Sequence, residues 1–161
     1  MTPKIKLVAL DMDGTLFNDK LEITPQNQQA IRSAVDMGVH VIISTGRPYI
    51  GLPIDKLADL GICYVITANG GGIYRIPEKE CVFSNCIPPE LSTRIIRYLQ
   101  TKDIHYDAFI HGNRYRESGR QYLIDHFTQF PPATRAFVKG NAIFVEDLAG
   151  FIEERNLPME K

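Results

Sequence analysis

The sequence carries no surplus of either charge. Its 18 lysines and arginines against 19 aspartates and glutamates leave a net charge of -1. The basic residues form no stripe, which argues against nucleic acid as a partner. No apolar run approaches the roughly 20 residues of a membrane-spanning helix, so no membrane partner is expected either. The opening Met1-Thr2-Pro3-Lys4-Ile5 is not followed by the apolar stretch of a secretory leader, and the expected compartment is the cytoplasm. Cysteine is scarce. Cys63, Cys81 and Cys86 are odd in number and match no zinc spacing, so free, partly buried thiols are expected. His40, His105, His111 and His126 show no ligand spacing and read as exposed or hydrogen-bonded. There is no internal repeat and no low-complexity tract. What is present is an apolar content of 44% over 161 residues, enough for one ordinary domain or two incomplete ones.

The first half alternates strand and helix, an order that implies parallel pairing through right-handed crossovers. Ile5 to Leu10 reads as a buried strand, and Gly14 to Ile23 as a hairpin or flap. Thr24-Pro25 opens a helix that runs to about Met37 and stops at Gly38. Val39 to Ser44 is the second strand, a helix from Pro48 to about Gly61 follows, and Ile62 to Thr67 is the third strand. Ile73 to Ile76 and Cys81 to Ser84 form a hairpin. From about residue 85 the pattern becomes α+β. Glu90 to Thr101 is an amphipathic helix on Leu91, Ile95 and Leu99. Strands are expected at His105 to Ile110, Asn113 to Glu117 and Val138 to Glu146, the last interrupted by Gly140-Asn141. Helices are expected at Gln121 to Gln129 and Leu148 to Asn156. Tyr98, Tyr106, Phe109 and Tyr115 read as core of this half, and Arg114, Arg116 and Arg120 as a solvated face or as groups that could meet a phosphorylated substrate.

The most informative residues lie at the end of the first strand. Asp11 and Asp13 follow Ile5-Lys6-Leu7-Val8-Ala9-Leu10 directly, and Gly14-Thr15-Leu16 comes next. Open α/β sheets keep their ligand sites at the carboxyl ends of their strands. A carboxylate held there is poised to bind a divalent metal or attack a phosphorus atom. Phosphate esters resist attack because their oxygens repel anions, so a cation and hydrogen-bond donors must cancel that charge. Asp11 is the candidate nucleophile, giving an aspartyl-phosphate. Asp13 is the candidate acid and base. Gly14 lets the backbone come close to the phosphoryl group, and Thr45 is placed to donate its hydroxyl to a phosphoryl oxygen.

Asp11-Met12-Asp13-Gly14-Thr15-Leu16 resembles motif I of the haloacid dehalogenase superfamily, DxDGT(L/V). Val41 to Ser44 followed by Thr45-Gly46-Arg47 looks like the strand and TGR of motif II. Ala68-Asn69-Gly70-Gly71 resembles the NG loop of the Cof-type phosphatases. The resemblance implies a partial Rossmann-like parallel core over residues 1–84 and the start of an α+β cap over 85–161. It also implies a Mg²⁺-dependent phosphatase of small phosphorylated metabolites, with Asp11, Asp13 and Thr45 catalytic. Gly14, Gly46, Arg47, Asn69 and Gly70 would contact substrate, and Asp11 and Asp13 (the latter by its backbone carbonyl) would hold the metal. A mutase of the β-phosphoglucomutase kind would need a helical cap between motifs I and II, and the gap from Leu16 to Val39 is too short for one.

The sequence departs from the full pattern. Complete members carry a charge-neutralising lysine and a late G-D-x-x-N-D, and neither is found; Lys4, Lys6, Lys139 and Lys161 match no such position. The expectations are an apparently truncated chain with weak or absent turnover and an open edge on the first strand. That edge favours a homodimer or strand-swapped self-association. The alternative is a non-catalytic remnant or a phosphate- or partner-binding module. A receiver-like phospho-acceptor fits less well, because Cys63-Tyr64-Val65-Ile66-Thr67 ends without an acid.

Overall fold

A computed structural model describes residues 5–125 and 138–161. β1 (Leu7–Leu10) runs into a tight loop, and α1 (Pro25–Asp36) carries the chain back to β2 (His40–Ser44). A short α2 (Ile54–Ala58) precedes β3 (Tyr64–Thr67), and β4 (Gly72–Arg75) and β5 (Glu80–Ser84) complete the sheet. Its order is β1-β2-β3-β4-β5, parallel from β1 to β3 and antiparallel from β3 to β5. The fold is therefore α/β on a mixed sheet. Local chemistry sets the boundaries of α1. Thr24 Oγ1 accepts from Asn27 N at 3.3 Å, Pro25 has no N–H to satisfy in the first turn, and Gly38 (φ +79°) supplies the left-handed exit.

The helix expected from Pro48 to Gly61 is broken. A single 3₁₀ turn, Tyr49–Gly51, is followed by α2. Pro53 has no N–H for a continuing ladder and pushes Leu52 toward extended backbone, observed at φ -105° and ψ 144°. β1 has the open edge expected of it, since among the described residues only β2 pairs with it, but it is less buried than expected, and Leu7 is 53% exposed. β5 forms the other edge, with Val82 and Phe83 exposed. The core of this half gathers on Met12, Ile43, Leu57 and Val65.

The second half builds a separate three-stranded sheet. α3 (Pro89–Gln100) leads to β6 (Ala108–Ile110), β7 (Asn113–Glu117), α4 (Tyr122–Asp125), β8 (Ile143–Val145) and α5 (Leu148–Arg155). β6 and β7 pair antiparallel, β7 and β8 parallel. The β6–β7 turn uses His111 and Gly112, both at positive φ, as a two-residue hairpin requires. The expected strand from Val138 shortens to β8. The end of the helix expected to reach Gln129, like His126, lies outside the described residues. Ile96, Ile110, Leu148 and Ile152 form this half's core. α3 buries Ile96 and Ser92 rather than Leu91, which is exposed. Tyr98 is exposed as well, its ring stacked under the Lys102 ammonium instead of in the core. All three cysteines are free, but Cys63 and Cys81 are exposed rather than partly buried.

Two of the three arginines expected on a solvated face are inside, and Arg120 is half-buried. Arg114 is 2% exposed and Arg116 1%. Arg116 clamps Asp107 through Nε to Oδ1 at 2.7 Å and Nη2 to Oδ2 at 2.9 Å, and donates again to Val138 O. Arg120 pairs with Glu117 at 3.0 Å, and Glu117 also accepts from Tyr106 Oη and Leu148 N. The hairpin register explains this. Ala108 faces Tyr115, so the next step outward sets Asp107 opposite Arg116. The reading as a solvated face failed because residues 114 and 116 share the face of β7 opposite Tyr115 and the apolar core, and that face is also buried, with Asp107 beside it.

Burial alone would raise the Asp107 carboxyl, but hydrogen bonds from His105 and Arg116 and their charges hold it below the usual carboxylate range. Burial likewise opposes Glu117, and bonds from Tyr106, Gln100, Leu148 and Arg120 bring it down. A lowered folded value means that the unfolded chain binds protons first on acidification. The stability these groups supply is complete above the ordinary carboxylate value of about 4. It disappears as pH falls through the depressed folded values. Urea midpoints measured from about pH 7 downward should stay nearly flat to about pH 5 and then fall. Replacing Glu117 by glutamine should flatten part of that fall.

The last residues stitch the two halves. Met159 exchanges both backbone hydrogen bonds with Ile87, at 2.7 and 3.0 Å. Glu160 N donates to Phe109 O, and Phe109 N donates to Lys161 O. The buried Glu160 side chain accepts from Tyr74 Oη on β4 and from Gly112 N in the β6–β7 turn. Burial and this carboxylate push the Tyr74 phenol far upward. A Cβ at Gly71 would stand 2.5 Å from Glu160 O, so the glycine run after Asn69 makes room for the tail.

Candidate active site

Met12 is fully buried, and the residues on either side of it, Asp11 and Asp13, are exposed. Met12 acts as a peg that holds the loop to the sheet while the two acids face outward. The chain turns at Gly14 with φ +78°, a backbone that L side chains avoid. A Cβ there would meet nothing within 4 Å, so backbone conformation, not crowding within the chain, demands the glycine. Leu16 N returns to Asp11 O at 3.2 Å and Phe17 N to Met12 O at 2.9 Å, closing the loop. Phe17 then bridges to Ile23, which makes the expected flap.

Asp11 accepts from Thr15 Oγ1 at 3.2 Å. Asp13 is gripped at both oxygens by Arg47, Nε to Oδ2 at 2.8 Å and Nη2 to Oδ1 at 2.5 Å. Arg47 Nη1 donates to Gly51 O, and the guanidinium lies 5.7 Å from the Phe17 ring centre. The pairing Leu10↔Ile43 sets the ends of β1 and β2 side by side, so the loops after them are neighbours. Thr45 is buried. Its Oγ1 accepts from Arg47 N at 3.2 Å, which leaves the hydroxyl proton available for another acceptor.

The loop after β3 is sewn to the loop after β2. Ala68 N donates to Arg47 O at 2.9 Å and Asn69 N to Thr45 O at 3.1 Å. Asn69 adopts φ 58° and ψ 34°, a left-handed conformation that asparagine tolerates better than most residues. Its Oδ1 would stand 2.7 Å from a Cβ at Gly46, so the absence of a side chain at 46 lets the two loops touch. Gly70, at φ +96°, completes the turn. Asp13, Arg47, Thr45, Gly46 and Asn69 thus form one connected surface at the carboxyl ends of β1, β2 and β3. Asp11 and Gly14 belong to the loop that borders it.

Two residues join this surface unannounced by the motifs. Lys161, given no role from sequence, donates from Nζ to Gly46 O at 3.3 Å, carried there by the tail pairing with Phe109. Arg114 lines the same cleft as Arg47. Position alone gives no signal for Lys161. Arg114 was open to such a role from sequence, as one of three arginines that could meet a phosphorylated substrate. Among the described residues no group of three or more histidines, cysteines or acids converges as a metal site. The donors at the loop are those of Asp11 and Asp13. All are hard oxygens, suited to a cation that keeps most of its water.

The family model that matches is described as haloacid dehalogenase-like hydrolase and covers residues 8–143. Phosphatase YwpJ of Bacillus subtilis (strain 168) is 32% identical over 133 residues, 80% of this chain and 46% of that protein. With 5-amino-6-(5-phospho-D-ribitylamino)uracil phosphatase YcsE of the same organism, identity is 50% over 72 residues, 44% of this chain and 28% of the relative. The solved structure of a haloacid dehalogenase-like hydrolase from B. subtilis superposes with a TM-score of 0.75 at 23% identity. It covers 96% of this chain and 59% of that one, and shows the shared fold. The chain spans less than half the length of these two curated relatives.

Proposed function

The chain belongs to the haloacid dehalogenase-like hydrolases, and on that premise we propose that it carries the phosphate-handling end of a Mg²⁺-dependent phosphatase of the Cof type. The observation that carries the proposal is the joined surface of the β1, β2 and β3 loops, with the exposed Asp11 beside it. The substrate is a small phosphorylated metabolite. One Asp11 oxygen forms a bond to phosphorus, and the ester P–O bond breaks. The leaving oxygen takes a proton from Asp13. Water then attacks the aspartyl-phosphate, giving its proton to Asp13 and releasing phosphate and a restored Asp11. The Thr45 hydroxyl donates to a phosphoryl oxygen. Both Asp13 oxygens accept from Arg47, so the pair has to open before Asp13 carries a proton. Mg²⁺, held by the Asp11 carboxylate and the Asp13 backbone carbonyl, would supply neutralising charge to the phosphoryl group when bound.

Two acids, one of them engaged by arginine, make a weak metal site, so turnover by this chain alone should be slow. No helix of the described residues is long and apolar enough to cross a membrane. The free thiols fit a reducing, cytoplasmic setting. The test is incubation with Mg²⁺ and p-nitrophenyl phosphate. Slow release of p-nitrophenol that stops on chelation is expected. A folded chain that releases none would favour a non-catalytic phosphate-binding module.

A further inference from the structure

A hollow of about 320 Å³ opens beside the acidic loop, walled by Phe17, Arg47, Leu52, Arg114 and Asn141. Arg47 is the wall it shares with the catalytic surface. Arg47, whose guanidinium grips Asp13, also lines the hollow. Arg114 enters from β7, in the other half of the molecule. Its orientation is fixed by Asp107 at 3.6 Å and by the Phe109 ring, 5.9 Å away. Burial pulls the Arg114 guanidinium below the usual arginine range; Asp107 opposes this, and the charges of Arg116 and Arg47 add to it. Two guanidiniums, one from each half, therefore act on one space. Low dielectric and partial enclosure strengthen the attraction that such a pair exerts on an anion.

Size narrows the occupant. Ligand pockets run from roughly 300 to 1,000 Å³, so this one is at the small end and suits a few heavy atoms rather than a nucleoside. A second cavity, of about 500 Å³, shares Phe17 but mixes Glu22 and Asp59 with Arg32 and Lys56 and does not touch Arg47. It has neither the sign nor the position to serve the phosphate site.

We propose that the hollow binds a second oxyanion on the substrate, so that the preferred substrates are small phosphate esters carrying an acid group. Arg114 is the residue that determines this preference. The proposal rests on the reading of the Asp11 loop as the phosphate site. A guanidinium fork matches an oxyanion at two points, and hydrogen bonds between charged partners are the strong ones.

The test compares two esters that differ in the acid group, 3-phosphoglycerate and glycerol 3-phosphate, with inorganic phosphate as a third probe. Binding to the full chain is measured by calorimetry in the presence of Mg²⁺. The expected result is a preference for 3-phosphoglycerate of roughly tenfold to a hundredfold. Arg114→Gln should abolish that preference, weakening 3-phosphoglycerate by more than it weakens glycerol 3-phosphate or inorganic phosphate. Should Arg114→Gln fail to fold, Asn141→Asp places a negative charge on the exposed rim and should weaken 3-phosphoglycerate more than glycerol 3-phosphate. Equal affinity of the wild-type chain for both esters, with phosphate still bound, overturns the oxyanion subsite alone. Failure of the wild-type chain to bind inorganic phosphate overturns the phosphate site itself, and the subsite with it.

Discussion

Replacing Asp11 by asparagine is expected to reduce phosphate ester hydrolysis to background, a loss on the order of 10³-fold or more where a nucleophile is removed. The reason is local. Asp11 is the exposed acid without an arginine on it, whereas Asp13 spends both oxygens on Arg47. An amide at position 11 keeps the shape of the side chain and its hydrogen bond with Thr15 but has no anionic oxygen to bond to phosphorus. Folding should be untouched, because the side chain is exposed and the loop is held by Met12 and Gly14. Stability should change by no more than about 0.5 kcal/mol, as is usual for surface substitutions. Initial rates and thermal melts on the same preparations check both halves of this expectation. An unchanged rate would remove Asp11 from the chemistry.

The largest effect on stability should come from Asp107→Ala. Asp107 sits between the buried guanidinium of Arg116 and that of Arg114, with His105 Nε2 at 3.5 Å. Removing the carboxylate takes the counter-charge from two buried cations. Breaking a buried ion pair from one side costs about 3–5 kcal/mol. For a chain of this length that lowers the midpoint by roughly 10 °C. Replacing Arg116 by methionine together with Asp107→Ala should recover part of the loss, since apolar packing in place of a buried pair is often neutral. Differential scanning calorimetry of the single and double variants decides it. A shift of a degree or two for the single variant would mean that the pair is solvated after all.

Much of the fold follows from signals that are local in the chain. The parallel β1-β2-β3 order comes from alternating strand and helix. The β4–β5 hairpin comes from two apolar runs around a turn, and the start of α1 from Thr24-Pro25. Where a single residue redirected the backbone against the wider pattern, the reading went astray. Pro53 cut the helix expected from Pro48 to Gly61 into a 3₁₀ turn and α2. Where burial depends on partners distant in sequence, composition misled. Arginines are usually outside, but Arg114 and Arg116 are inside because the hairpin register brings Asp107 to them.

The candidate site divides the same way. Its residue types are set within three short stretches, Asp11 to Leu16, Thr45 to Arg47 and Ala68 to Gly71. Its contacts are not. Arg47 and Asp13 are 34 positions apart, and nothing in either stretch announces a two-point ion pair. Gly46 reads as part of a motif, whereas the structure gives its physical reason, the Asn69 side chain pressed against it. Lys161 reaches Gly46 only through the pairing of the tail with Ile87 and Phe109, a tertiary event.

The most direct measurement asks which atom accepts phosphorus. The chain is mixed with a phosphate ester and Mg²⁺, quenched in acid and reduced with borohydride, which converts an acyl-phosphate aspartate to homoserine. Peptide mass spectrometry then reads the loop from Asp11 to Leu16. Homoserine at position 11 and aspartate at position 13 is the predicted result. Homoserine at position 13, or ester cleavage with both aspartates unmodified, would contradict it.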